Sequence, residues 1–273
     1  MSVLSSSNPV LSDSTLGRLI DETGGSTRSN AATIPGVMQK TGICTVLAVA
    51  AGAAAYMMVP ALPWLPMAAM IGSLVITLII FFVIMAKPAL AIVAAPVYSL
   101  TQGTFLGCLS FVLEGMLASR GITPVGGGLA LQAFVITGSL MATMLALHTF
   151  GIVRAGPRFT SILSLVTIGL MVTMLVSFVL SLFGVGLPFM SLNAAFDGGN
   201  NAWIGLAINV GILFVASLWL LVDFAQIDEA VAAGAPKSME WMLAFGLIVT
   251  LAWVYLEALK LAFRLAAMFG ERK

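Results

Sequence analysis

The sequence predicts an all-α fold, that of a polytopic membrane protein built as a bundle of seven transmembrane helices. Of its 273 residues 60% are hydrophobic and only 8% are charged, and its mean hydropathy is +1.09. Soluble domains carry about 25% charged residues. The chain also contains seven apolar runs, each long enough to cross about 30 Å of hydrocarbon, which takes about 20 helical residues. Backbone polar groups in lipid must be satisfied within the segment, so runs of this length predict helices.

The spans follow one another with short polar connections. In chain order they are predicted at 41–59, 67–86, 89–117, 127–150, 159–184, 201–226 and 239–269. Residues 41–273 are therefore expected to form one seven-helix membrane domain.

Residues 1–40 differ from the rest of the chain, because they are rich in Ser, Thr, Asn and Gly. They lack the apolar core of a secretory signal peptide. Too little apolar surface is present to pay for ordering, so this N-terminal stretch is expected to be a polar, largely disordered tail.

Basic residues in short loops predict the orientation of the bundle. With the N-terminus in the cytoplasm, the segments on the cytoplasmic side hold seven basic residues: Arg18, Arg28, Lys40, Lys87, Arg154, Arg158 and Lys237. The segments on the opposite side hold four: Arg120, Arg264, Arg272 and Lys273. This asymmetry favours a cytoplasmic N-terminus and a C-terminus on the other side.

The motifs of enzymes and cofactor sites do not occur in this sequence. It has no phosphate-binding loop, zinc motif or nucleophile triad, so neither catalysis nor a cofactor is expected, apart from calcium bound transiently. Cys44 and Cys108 lie in apolar spans and are expected to be buried, reduced thiols. Gly103 and Gly107 are four residues apart, a spacing that favours close helix packing.

Asp223 is the leading candidate for a functional residue. It ends the apolar run 203–222, and a carboxylate at the end of a membrane helix is costly to bury. Glu114, Glu257 and His148 are the further candidates within or at the ends of spans. Each candidate also has a purely structural interpretation.

Glu257 is three residues before Lys260 and can pair with it on one helix face. Glu114 can reach the interface or Arg120. Asp223 can cap a loop or pair with Lys237 or Arg154.

The remaining polar residues are interpreted as structural. His148 can be a satisfied histidine near the interface, and Gln102 and Asn209 are expected to make hydrogen bonds between helices. Asp228, Glu229 and Glu240 flank the last loop and are expected to be solvated.

Three segments resemble the transmembrane Bax-inhibitor-motif family, in its bacterial branch. They are the Asp-centred end of the sixth span at 221–234, the Gly-rich third span at 102–115, and the Tyr-Leu-Glu sequence at 255–257 in the last span. The resemblance covers about 41–269. It implies a bundle whose last helix lies near the centre, in a bacterial inner membrane.

The resemblance also implies an activity, because better-studied members of this family are pH-sensitive calcium leak proteins. A pair of aspartates on the sixth and seventh helices shares a proton there. Asp223 matches the first of the pair, and Glu257 stands at the second with Glu in place of Asp. The arginine that those members carry on the second helix has no counterpart at 67–86.

The positions along the helices give a different expectation for this pair. Glu257 is 18 residues past 239, about 27 Å along a straight helix, which would separate it from Asp223. The family match instead brings the two carboxylates together as a gating pair, and that arrangement is the hypothesis preferred here.

Two functions from different classes follow. The first is a passive, pH-sensitive cation pathway, with calcium as the expected ion, since acidic groups select cations. The second is a non-conducting regulator or adaptor that binds a membrane protease or other membrane proteins through the N-terminal tail. A secondary transporter is disfavoured because no inverted repeat is apparent. The lipid bilayer is the expected surrounding, and no nucleic-acid partner is expected.

Overall fold

A computed structural model of the chain describes residues 31–123, 127–153, 155–184, 187 and 190–270. The predicted tail up to residue 30 and Arg154 lie outside the described residues.

 Helices make up 84% of the described residues, and these residues contain no strand, which confirms the all-α prediction.

Seven of the described helices are long and apolar enough to cross a membrane. They are α1 (Ile34–Met58), α2 (Leu65–Ala86), α3 (Ala91–Ala118), α4 (Leu129–Thr149), α5 (Pro157–Leu182), α6 (Gly199–Ala232) and α7 (Met239–Phe269). A 3₁₀ turn at Pro88–Leu90 precedes α3, and a one-turn helix at Ala194–Asp197 precedes α6. The seven predicted spans are confirmed.

Two of the predicted boundaries were wrong. Helix α1 begins at Ile34, so the last seven residues of the predicted polar tail belong to the helix. The Thr33 side chain caps this helix by accepting a hydrogen bond from the Gly36 amide at 3.1 Å, and Pro35 suits the first turn because it has no N–H to leave unsatisfied. Helix α6 continues to Ala232, six residues beyond the predicted end.

The odd-numbered helices all begin on one side of the bundle, here named the N-side, and end on the other, the C-side. The first helix meets the last loop on the N-side, where the Ala32 amide donates to the Ala235 carbonyl at 2.7 Å. Two residues in the middle of the chain, Glu114 and Leu129, meet on the C-side.

Helix α7 is the central element of the bundle. It packs against α1, α3, α4 and α6, and half of its most apolar window is buried, the largest share among the seven spans. Its buried residues include Leu247, Val254, Leu259 and Phe263. The expectation that the last helix lies near the centre is therefore met by the fold.

Helix α5 is the opposite case, since only 6% of its most apolar window is buried. Its large exposed side chains include Leu165, Met171, Leu175 and Phe178. An apolar surface of this kind would be unfavourable in water and is favourable against lipid tails. The bundle thus exposes α5 to the bilayer and keeps α7 inside.

Helices α1 and α3 approach each other closely through glycines. A Cβ placed on Gly103 would overlap the Ala48 backbone, and one on Gly107 would overlap the Gly52 backbone. The predicted role of this glycine pair in close packing is confirmed. Cys44 and Cys108 are both free and buried, as expected.

Candidate functional site

Polar side chains inside the bundle are grouped at three levels along α7. The N-side cluster consists of Thr33, Lys40 and Glu240. The central site consists of Asp223 and Thr250. The C-side cluster consists of Asn209, Glu257, Lys260 and Arg264. Polar groups in a membrane interior are costly, so three such levels on one helix mark the candidate site.

The central site contains a carboxylate with an unsatisfied oxygen. The Thr250 side chain of α7 lies against the Asp223 carboxylate of α6. The Asp223 Oδ2 atom is buried and has no hydrogen-bond partner. An acceptor of this kind, without a donor and within a membrane bundle, is available to a proton, a water molecule or a cation.

A cleft with a volume of about 290 Å³ lies between α3, α6 and α7 beside the central site. Thr250 lines it together with Tyr98, Gln102, Trp219 and Trp253. Gln102 was expected to bond to another helix, but its side chain contacts Tyr98 on its own helix α3, and its Oε1 atom is buried without a hydrogen-bond partner. Thr250 therefore connects the Asp223 carboxylate to a space with a second unsatisfied oxygen acceptor.

The C-side cluster holds Glu257, which is 1% exposed. Its carboxylate accepts a hydrogen bond from the Asn209 amide at 2.8 Å and an ion-pair contact from Lys260 at 2.5 Å. The structural interpretation of Glu257, a pair with Lys260 on the same helix, is therefore realised. The expectation that Asn209 bonds to another helix is confirmed by the same contact.

Asp223 and Glu257 do not form the close pair that the family match led us to expect. Glu257 is partnered by Asn209, which is 14 residues before Asp223 on α6, a separation of about 21 Å along that helix. Asp223 is instead level with Thr250, seven residues before Glu257 on α7, or about 10 Å. The two acids lie at different depths because α7 is a continuous helix from Met239 to Phe269, as the straight-helix estimate indicated.

Glu114 caps a helix. One carboxylate oxygen accepts from the Leu129 amide at 2.5 Å, and the other accepts from the Tyr56 hydroxyl. Free amides at a helix N-terminus favour a negative charge, so this carboxylate stabilises the start of α4. Arg120, the alternative partner, instead lies 4.8 Å from the centre of the Phe196 ring.

His148 bonds to Asp228, an acid that was expected to be solvated. Its Nε2 atom lies 2.8 Å from Asp228 Oδ2, which joins the end of α4 to α6. The ring also packs against Phe224, with ring centroids 5.8 Å apart. This arrangement is that of a satisfied histidine near the N-side surface.

Glu240 was expected to be solvated, and this was wrong. It is 1% exposed and accepts hydrogen bonds from the Thr33 amide at 2.9 Å and the Thr33 hydroxyl at 3.2 Å. Lys40 forms an ion pair with its other oxygen. The reason is the backbone contact between Ala32 and Ala235, which folds the chain before α1 over the start of α7.

Sequence reasoning missed Thr250 and the depth of Arg264. Thr250 gave no signal, because a threonine in an apolar span usually bonds to its own helix, as this one also does at 3.4 Å to the Gly246 carbonyl. Arg264 was counted among the basic residues beyond the membrane, but it is 4% exposed and lies within α7. Its place in a continuous apolar run was the signal that could have found it.

The fold and these buried polar levels define an integral membrane protein, a seven-helix bundle organised around a polar last helix. The family model described as Bax inhibitor 1 like matches residues 8–267. The chain belongs to the Bax inhibitor 1 like family, in agreement with the resemblance seen in the sequence. Searches of curated proteins and of solved structures found no match to this chain.

Proposed function

We propose that this protein is a passive, pH-sensitive leak pathway for cations, with calcium as its main ion, and that Asp223 is the group whose charge controls passage. The observation that carries the proposal is the buried, unpartnered Oδ2 atom of Asp223 inside a membrane bundle. Family membership supports the same activity, since it was the resemblance to this family that implied a calcium leak.

The chemistry of this site suits a cation in passage. Calcium binds oxygen ligands, and Asp223, Thr250 and Gln102 place oxygen atoms around one level of α7. A cation held by few ligands binds weakly and leaves readily, which conduction requires. Passage of this kind needs neither a catalytic group nor a cofactor.

The pH dependence follows from the charge of one carboxylate. When Asp223 is ionised it attracts a cation, and when it is protonated that attraction is lost. Because Thr250 and not a second acid lies beside it, one proton is expected to control this level. The proposed site therefore differs from the shared-proton pair that the resemblance implied.

We further propose that the N-side of the bundle faces the cytoplasm of a bacterial cell, with the protein in the inner membrane. Arg264 is buried within α7, so it no longer counts as a basic residue of the C-side segments. The excess of basic residues on the N-side therefore increases, which favours a cytoplasmic N-terminus. Asp223 then lies nearer the cytoplasmic end of α6 than its start.

The test is calcium flux into liposomes that contain the purified protein, measured over a series of pH values. Wild type should conduct with a dependence on pH, and Asp223→Asn, which is neutral at every pH, should lower the flux and remove that dependence. Glu229→Gln is the matched control, because it neutralises an exposed acid six residues further along the same helix and should behave as wild type.

Flux no greater than in empty liposomes, or equal flux in wild type and Asp223→Asn at every pH, would reject the pathway. The alternative in that case is the non-conducting regulator or adaptor, with a membrane protease or another membrane protein as its partner. The regulator hypothesis is tested by deletion of residues 1–30. If a protease binds that segment, the deletion should prolong the lifetime of the protein in cells.

A further inference from the structure

Arg264 is a buried cation with few partners. It is 4% exposed and lies about 7 Å from the end of α7. Its Nη2 atom donates to the Met190 carbonyl at 3.3 Å, while Nε and Nη1 are buried without hydrogen-bond partners. An arginine keeps its charge in proteins, so a full positive charge is held there with one long hydrogen bond.

The charges around Arg264 do not cancel. The nearest acid is Glu257, one of whose oxygens is engaged by Lys260 at 2.5 Å and the other by Asn209. The C-side cluster therefore holds one negative and two positive charges. Asp197, close to this level beyond Phe196, is exposed and so is screened by solvent.

This charge has a direct consequence for ions. A fixed positive charge in a medium of low dielectric constant repels any cation that approaches it, and the energy is proportional to the charge of the ion. A buried arginine is one of the means by which membrane pores exclude cations. The central site attracts cations by its carboxylate, whereas the C-side cluster on the same helix repels them.

We propose that Arg264 is the electrostatic barrier that keeps the pathway nearly closed to cations at its C-side end, and that it sets the low rate expected of a leak. The inference rests on the proposed function. The geometry also argues against a purely structural role, since a buried and poorly paired charge stabilises a fold less than an apolar side chain of similar size would.

The experiment compares calcium and potassium fluxes through wild type, Arg264→Gln and Arg264→Lys in liposomes. The Gln variant removes the charge and should raise the potassium flux about threefold and the calcium flux about tenfold, because the barrier for a divalent ion is twice that for a monovalent ion. The Lys variant keeps the charge and should stay close to wild type. Arg120→Gln, which removes an exposed arginine on the same side, is the matched control and should change neither flux.

Folding is checked by the thermal stability of each variant in detergent, and Arg264→Met serves as a second neutral variant. Both neutral variants should fold and should conduct more than wild type. If neither folds, Arg264 is needed for structure and the barrier is overturned. Equal increases for the two ions, or no increase, would also overturn it.

Two further outcomes separate this inference from the proposed function. If Asp223→Asn alters calcium flux and the neutral Arg264 variants do not, the pathway stands and the barrier fails. If wild type and Asp223→Asn are alike while no variant conducts, the pathway itself fails, and the barrier fails with it. A chloride flux in wild type that Arg264→Gln abolishes would show an anion site and would overturn the barrier.

Discussion

Asn209 on α6 binds Glu257 on α7 twice, because its amide nitrogen lies 2.8 Å from the carboxylate and 3.2 Å from the backbone carbonyl of the same residue. One side chain thus fixes both the rotation and the depth of the central helix against its neighbour. The contact holds Glu257 at the C-side level, away from Asp223.

Asn209→Ala should lower the free energy of unfolding by about 1–2 kcal/mol, because Glu257 loses one of its two side-chain partners while remaining buried. Thermal unfolding in detergent measures the change. Asn201→Ala is the control, since Asn201 is exposed in the first turns of the same helix. Equal stability of the two variants would mean that the contact does not contribute.

Gly36→Ala should break the N-side cluster, because a Cβ at this position would overlap the Glu240 carboxylate. The carboxylate cannot simply move aside without losing Thr33 and Lys40, so we expect a loss of about 1–3 kcal/mol. Gly42→Ala is the matched control, as nothing lies within 4 Å of a Cβ there. Comparison of the two melting curves decides the matter, and similar curves would show that Glu240 has room to shift.

Gly103→Ala should separate α1 from α3, because the added methyl group would overlap the Ala48 backbone, which cannot rotate away. The free energy of unfolding should fall by about 1–3 kcal/mol or more. Gly115→Ala on the same helix meets nothing within 4 Å and should be close to wild type. The measurement is the yield of monodisperse protein together with its thermal stability, and a well-folded Gly103→Ala protein would contradict the packing described here.

Thr250→Asp should place a second carboxylate beside Asp223 and so create a pair of acids at the central site. Two carboxylates in contact cannot both ionise readily and titrate as a coupled pair. If the proposed function holds, calcium flux should then change with pH in two steps in place of one. Thr250→Asn, which adds a similar volume without charge, should keep the single step, and two steps in that variant would show that charge is not the cause.

The spans could be predicted from sequence because lipid imposes one simple requirement, an apolar run of sufficient length. Asp223 could be found for the same reason, since a carboxylate is costly to bury and stands out at the end of an apolar run. The partners could not be found, because which residues meet between helices depends on the depth and rotation of each helix. The resemblance to the family predicted that Glu257 would pair with Asp223. The packing of α6 against α7 instead places Asn209 beside Glu257.

The ends of the helices show a second limit. Glu240 has polar neighbours in sequence and was therefore expected in water, but residues far away in the chain, Thr33 and Lys40, cover it. Arg264 was counted with the basic residues beyond the membrane although it lies inside the predicted span 239–269, and it is buried within α7. In both cases local composition was a poor guide to burial that distant segments create.

The central position of α7 has a consequence for how the chain is made. The ribosome completes this helix last, so the six preceding helices enter the bilayer before the element around which they pack exists. Until then Asn209 and Asp223 have no partners from α7, and Thr33 cannot bind Glu240. A premature stop before α7 would therefore remove the helix against which α1, α3, α4 and α6 all pack.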